Sequence, residues 1–219
     1  MIKNCFLVSS FLFTFCILAQ AQTVSEGNAE IHQILNSLEV NMQKINTMQT
    51  AFTQTKHLNM FTQPVVLSGL IYMQKPEQFA WYTKSPIRYS MVFEKDKIYQ
   101  WSEDADRVEA FSFAKMPVIR LVFEQMQACF NGSYTKLLDD YAAQVESREP
   151  LVLKFTPREN GLLFGIIQSI TVRFKGDRSY LESIRTEEKN GDYSEMNFTN
   201  TILNAKIDAA VWKLKSRAA

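Results

Sequence analysis

The chain has 219 residues, 46% hydrophobic and 21% charged, with 24 Lys and Arg against 23 Asp and Glu. A net charge of +1 without a long basic run excludes a broad phosphate-binding surface, because nucleic-acid affinity draws on clustered bases. The length suits one domain with a sizeable core.

Residues 1–21 read as a secretory signal: Lys3 gives the positive start, an apolar run extends from Cys5 to Ala19, and Ala19-Gln20-Ala21 is a small-x-small cleavage site. The apolar run contains Ser9, Ser10 and Thr14 and is shorter than the ~20 residues that span a bilayer. Its removal leaves one domain at 22–219 with 23 bases and 23 acids. Cys5 and Cys16 leave with the signal, so Cys129 has no internal disulfide partner and reads as a packing residue.

Ile31, Ile34, Leu35, Leu38, Met42 and Ile45 follow at intervals of three and four, one face of an amphipathic helix with Asn28 as the expected N-cap. From Thr47 the pattern turns to short aromatic and β-branched runs, which predict strands at 48–58, 65–75, 78–84, 87–94, 97–102 and 107–113. Lys75-Pro76-Glu77 and Lys84-Ser85-Pro86 mark turns, and Glu94-Lys95-Asp96-Lys97 is a charged tight connection. Helical spacing returns over 114–130 through Val118, Leu121, Val122, Gln125, Met126 and Cys129, and Asn131-Gly132 stops it. A second run of strands is expected at 134–138, 142–147, 150–157, 167–175, 179–188 and 192–199, with 134–147 equally compatible with helix. Gly176-Asp177 and Asn190-Gly191 are hairpin signals. The order is a helix, a meander, a middle helix and a second meander: one α+β unit.

Alternation along the first meander sets Ile71, Met73 and Lys75 on one sheet face with Phe79 and Trp81 of the next strand, and the same pattern suggests Tyr99 and Trp101, then Phe111 and Phe113. With Leu121 and Met126 of the middle helix, and flexible Met73, Met91 and Met116, these residues can line a cavity for an apolar ligand or fill a sealed core. Lys75 either snorkels at the sheet edge or donates to backbone carbonyls of a helix lying across the cavity.

Catalytic patterns are weak: there is no G-x-S-x-G, H-E-x-x-H, P-loop or paired C-x-x-C. His32 and His57 have no metal-ligand neighbours in sequence, and Asp139-Asp140 and Glu187-Glu188 read as solvated charges. No catalytic residue, cofactor or metal is expected.

The segment Met48-Gln49-Thr50-Ala51-Phe52-Thr53-Gln54-Thr55-Lys56 resembles the F-x-Q-x-K strand of the LolA-like outer-membrane lipoprotein carriers. Ser68-Gly69 through Lys75-Pro76 to Phe79-Ala80-Trp81, with Pro86 beyond, is similar to the family's Gly, strand, basic-Pro, Phe-x-Trp and Pro pattern. The resemblance is specific over about 45–113. It implies an unclosed antiparallel β-barrel with helices over its open, apolar side. It also implies a monomeric, non-enzymatic periplasmic carrier that takes acylated lipoproteins from an ATP-driven inner-membrane exporter to an outer-membrane receptor. Phe79 and Trp81 match cavity-lining positions, and Lys75 stands where the best-known members have a lid-holding Arg, a change from a planar fork to a point charge. The chain ends soon after Trp212, with little of the C-terminal extension of the best-known carriers. A carrier for another lipid or glycolipid, and an enzyme acting on envelope lipids or glycans, are the alternatives.

Overall fold

The computed structural model describes residues 15–94, 97–112 and 117–214; within the two long helices the side chains of 15–28, 117–119, 122, 125 and 126 lie outside that description. Helix α1 spans Phe15–Gln43, and strands β1 (Thr47–His57), β2 (Val65–Gln74), β3 (Gln78–Ser85), β4 (Tyr89–Glu94), β5 (Lys97–Ser102) and β6 (Val108–Ser112) follow as a meander. Helix α2 (Pro117–Asn131), a 3-10 turn at Tyr134–Lys136 and a short helix α3 (Leu137–Asp140) lead to β7 (Tyr141–Arg148) and β8 (Leu151–Pro157). The chain continues through β9 (Ile167–Phe174), β10 (Leu181–Glu188) and β11 (Tyr193–Leu203) to a 3-10 turn at Ala209–Trp212.

All eleven strands form one antiparallel sheet, ordered β6-β5-β4-β3-β2-β1-β11-β10-β9-β8-β7. Strands β6 and β7 are its two edges, so the sheet does not close on itself, as expected for an unclosed barrel. Connections 58–64, 86–88, 103–107, 158–166 and 189–192 lie at one end, here the mouth; 75–77, 149–150 and 175–180 lie at the other, the base.

One expectation is decided and one is corrected. Of the strand and the helix open to residues 134–138, the helix forms: Tyr134 is buried and its hydroxyl donates to the Cys129 carbonyl at 2.8 Å, while Glu39 of α1 accepts from the Thr135 amide and hydroxyl at 2.8 Å each. Those bonds hold a helical turn against α1. Asn28 is not an N-cap, because α1 begins at Phe15 and runs through it.

The stripe Ile31, Leu35, Leu38 and Met42 is buried against the inner face of the sheet. Each such side chain contributes about 1.5–3 kcal/mol when removed from water. The second cover is α2, whose Phe123 stacks on Phe93 at 4.0 Å and 6°, while Phe130 meets Phe79 at 5.8 Å and Phe198 at 5.7 Å. The two helices meet where Gly132, with φ +74°, follows α2; a Cβ there would lie 2.3 Å from the Met42 Cβ.

Gly69 permits a second close approach. A Cβ at this position would stand 1.8 Å from the Tyr82 carbonyl oxygen and 2.8 Å from Cε1 of Phe52. Backbone of the neighbouring strand cannot yield as a flexible side chain does. Gly69→Ala is therefore expected to cost on the order of 3 kcal/mol, read as a fall of roughly 6–12 °C in Tm for a domain of this size. A Tm within two degrees of the parent in a thermal melt would contradict this packing.

Candidate functional site

Strand pairing decides which side chains share the inner face. Phe52 faces Gly69 and Phe198; Ile71 faces Trp81, Met73 faces Phe79, Trp81 faces Met91, and Phe79 faces Phe93. The predicted association of Ile71, Met73, Phe79 and Trp81 on one face is what the register gives.

Depth divides these residues. Ile71, Met73 and Phe79 are 0%, 2% and 1% exposed and lie toward the base, sealed beneath the helices. Toward the mouth the same face opens into a cavity of about 680 Å³. Its deep part is aromatic and aliphatic: Phe93, Phe123, Trp81, Met91, Leu67 and Met196. Its rim carries Gln54, Lys56, Thr83, Ile87, Tyr89, Ser102 and Thr186. Trp81 tilts against Phe52 with ring centroids 4.6 Å apart, and its indole N–H donates to the Thr83 hydroxyl at 3.1 Å, so the ring offers the cavity its apolar surface. Burial raises the pKa of the Tyr89 phenol, which stays neutral at physiological pH.

Tyr99 and Trp101 do not line this face. In the β4–β5 register Phe93 pairs with Ile98 and Met91 with Gln100, while Tyr99 pairs with Val92 and Trp101 with Ser90 on the outer face. There the indole N–H of Trp101 donates to Asp106 at 3.1 Å, and the C-terminal segment covers part of the same surface, the Tyr82 hydroxyl donating to the Val211 carbonyl at 2.6 Å. Phe111 returns to the inner face opposite Ile98, near the base. Leu121 contributes to a separate depression of about 530 Å³ beside Glu77, Glu124, Lys136 and Asp139. Phe113, Met116 and the side chain of Met126 lie outside the described residues.

Lys75 closes the base. Its ammonium donates to the Met42 carbonyl in the last turn of α1 at 2.7 Å, and its backbone N–H donates to the Asn46 carbonyl at 2.9 Å. A cation there complements the negative end of the helix dipole. Burial lowers its pKa. Of the two positions open to it in sequence, Lys75 takes the helix carbonyl.

The remaining polar candidates do not converge. His32 is exposed, and His57 stacks on Tyr193 at 4.3 Å and 12°. Glu187 accepts from Arg185 at 2.9 Å and from Ser169 at 3.0 Å, bonds that lower its pKa in that order. Among the described residues no group of three His, Cys, Asp or Glu can hold a metal. Burial pushes the Cys129 thiol up to about 12, leaving little thiolate near neutrality.

The rim residues Gln54 and Lys56 were legible in the F-x-Q-x-K segment, since alternation from buried Phe52 puts both on its face. Leu67, Tyr89 and Met196 carry no motif and needed the register.

The sequence matches the family of the outer membrane lipoprotein carrier protein LolA over residues 43–215. It is 27% identical over 145 residues to an outer-membrane lipoprotein carrier protein of Chromohalobacter salexigens, covering 65% of this chain and 63% of that one, so the chain spans less than two thirds of that relative's length. Among solved structures, an uncharacterized conserved protein from Thermus thermophilus aligns with TM-score 0.55 and 9% identity over 86% of this chain and 96% of that one. The MucA/MucB complex of Pseudomonas aeruginosa aligns with TM-score 0.50 and 15% identity over 82% of this chain and 59% of the other. These two likenesses concern the fold alone.

If the cavity ends where the sealed core begins, substitutions should separate by depth. Met91→Gln and Met196→Gln place amides on the cavity wall and are expected to weaken binding of the neutral dye N-phenyl-1-naphthylamine roughly three- to tenfold. Met73→Gln should instead cost about 2 kcal/mol of stability with dye affinity of the folded protein unchanged. Equal loss of affinity in all three variants would mean that the cavity reaches the base.

Proposed function

The chain belongs to the LolA family of outer membrane lipoprotein carrier proteins, and from that membership we propose that it is a periplasmic carrier of lipoprotein acyl chains between the inner and outer membranes. The observation that carries this reading is the apolar cavity at the mouth, walled by Trp81, Met91, Phe93, Phe123 and Met196. A methylene exposed to water costs about 0.8 kcal/mol, so a long acyl chain resists leaving a bilayer by roughly ten kcal/mol. A carrier must offset most of that and still release its cargo. Rings and thioethers do so without directional bonds.

The proposed route begins with export: cleavage after Ala21 removes the first part of α1 and leaves Gln22–Gln43, which keeps the buried stripe from Ile31 to Met42. An ATP-driven inner-membrane exporter loads the cavity and an outer-membrane receptor empties it. The chain itself performs no chemistry. At about 680 Å³ the cavity falls in the ~300–1,000 Å³ range of a site for one small ligand. Three acyl chains need more room, so loading requires α2 to move away from the sheet.

Lys75 is suited to hold that cover. It grips Met42, and Met42 abuts Gly132 at the end of α2, so one ammonium ties the strand turn at the base to both helices. The Met42 carbonyl also accepts from the Ile45 amide at 3.1 Å, so losing the lysine leaves no orphan carbonyl. Lys75→Leu is therefore expected to keep Tm within about 4 °C of the parent and to retain acyl binding while changing the rate of transfer to receptor-bearing membranes. Unchanged binding and transfer would leave Lys75 a packing residue.

Native mass spectrometry of the protein isolated from its own cell envelope tests the function itself. Triacylated protein cargo is the expected result; a free lipid or glycolipid makes it a carrier of another class, and the absence of any acylated species overturns the carrier reading.

A further inference from the structure

Among the described residues that line the cavity, Lys56 alone is charged. On β1, alternation carries Phe52, Gln54 and Lys56 along the inner face from the core to the mouth. Gln54 and Lys56 both line the cavity. Their positions are about 7 Å apart along the strand. Their cross-strand neighbours are Leu67 and Met196 for Gln54, and Val65 and Ser194 for Lys56, none of them charged. Neither side chain has a hydrogen bond or ion pair with any described residue. Glu187 lies on the other face of the sheet, since Thr186 is the β10 residue in register with Ser194 and Lys56, and its carboxylate is engaged there by Arg185 and Ser169. The other lysine of this face, Lys75, has its acceptor in the Met42 carbonyl.

A neutral triacyl anchor gains nothing from an unpaired ammonium at the entrance of its cavity. An amphiphile with a charged head gains a charge-assisted hydrogen bond in surroundings of low polarity. We propose that the cavity mouth is an anion-selecting head-group site, and that the cavity takes a single-chain amphiphile whose carboxylate or phosphate pairs with Lys56. Gln54 donates its amide to the next acceptor along the ligand, and the tail lies on Trp81, Met91 and Phe93. The cavity volume suits one chain with its head in the present position of α2. This inference rests on the acyl-carrier reading of the same cavity, and it adds a ligand class that needs no movement of the cover.

Displacement of N-phenyl-1-naphthylamine from the full mature chain at pH 8 tests it, with tetradecanoate, tetradecyl phosphate and tetradecanol as competitors. The two anions are expected to displace the dye at about one tenth the concentration of the alcohol, the ratio given by one charge-assisted bond. That preference should shrink as salt is raised. Lys56→Gln should bring anion and alcohol to parity, and Lys56→Arg should keep the preference. The ratio is internal to each variant, so a change in dye affinity or partial loss of fold cancels from it. The stronger of the two anions identifies the head as carboxylate or phosphate. Parity in the parent, or an unchanged preference in Lys56→Gln, overturns the head-group site while leaving the carrier reading intact. Failure of all three competitors, the alcohol included, overturns both.

Discussion

An open sheet cannot bury its own inner face, and the rest of this structure follows from that constraint. Eleven strands ending in unpaired edges at β6 and β7 leave a wide apolar surface that only the helices can cover. At ~1.5 Å per residue, the 15 residues of α2 extend about 22 Å. At ~3.4 Å per residue, the 11 residues of β1 extend about 36 Å. Helix α2 is therefore shorter than β1 and about as long as β4, with its 6 residues. At the base the helices interlock with Met48, Ile71, Met73 and Phe79 into a sealed core. Toward the mouth Phe123 of α2 still stacks on Phe93, and the space beside them, walled by Trp81, Met91 and Met196, is the cavity. Stability and ligand space are successive stretches of the same strands.

Two lysines mark the ends of that surface, and their surroundings give them different work. Lys75 at the base meets the negative end of α1, where one bond to Met42 links sheet and helix. An arginine there would bridge several carbonyls with a planar fork; a single ammonium grips one, so the cover of this chain hangs on fewer bonds. Lys56 at the mouth has no acceptor within the described protein, and its neighbours on the sheet are uncharged. An incoming anion can supply the acceptor that the described protein does not.

Much of this was legible in the residues, and the failures have a definite cause. The stripe of α1 and the limits of most strands follow from periodicity, because one face of each element is buried. The pairing of Ile71 with Trp81 and Met73 with Phe79 follows from the short turn at Lys75-Pro76-Glu77, which keeps odd residues opposite odd ones. The β4–β5 connection breaks that parity: Glu94 pairs with Lys97 across two intervening residues, so Phe93 faces Ile98, and Tyr99 and Trp101 turn outward. The β5–β6 register exchanges parity again and returns Phe111 inward. Aromatic residues occur on both faces because Ile207 and Val211 of the C-terminal segment cover the outside, so ring content alone cannot identify the inner surface. Residues 134–138 stayed open between strand and helix for another reason. Tyr134 satisfies strand propensity, but Glu39, nearly a hundred positions away, supplies the bonds that hold a helical turn.

Depth was the quantity alternation could not give. A period of two says which face a residue takes and nothing about which rung a helix crosses, so Met73 and Met91 looked equivalent although one is sealed and the other lines the cavity. The distinction has an energetic consequence. In the proposed function an acyl chain against Met91, Met196 and Trp81 would be held by area, which grows with chain length and is indifferent to sequence or stereochemistry. Directional donors sit at the rim instead, with Gln54 and Lys56, where they can act on a head group without fixing the tail. Discrimination and capacity thus fall on separate residues. A cavity arranged this way can change the head it prefers by substitutions on β1 alone, while the wall that accepts the chain, and the sealed core that keeps the wall in place, stay as they are.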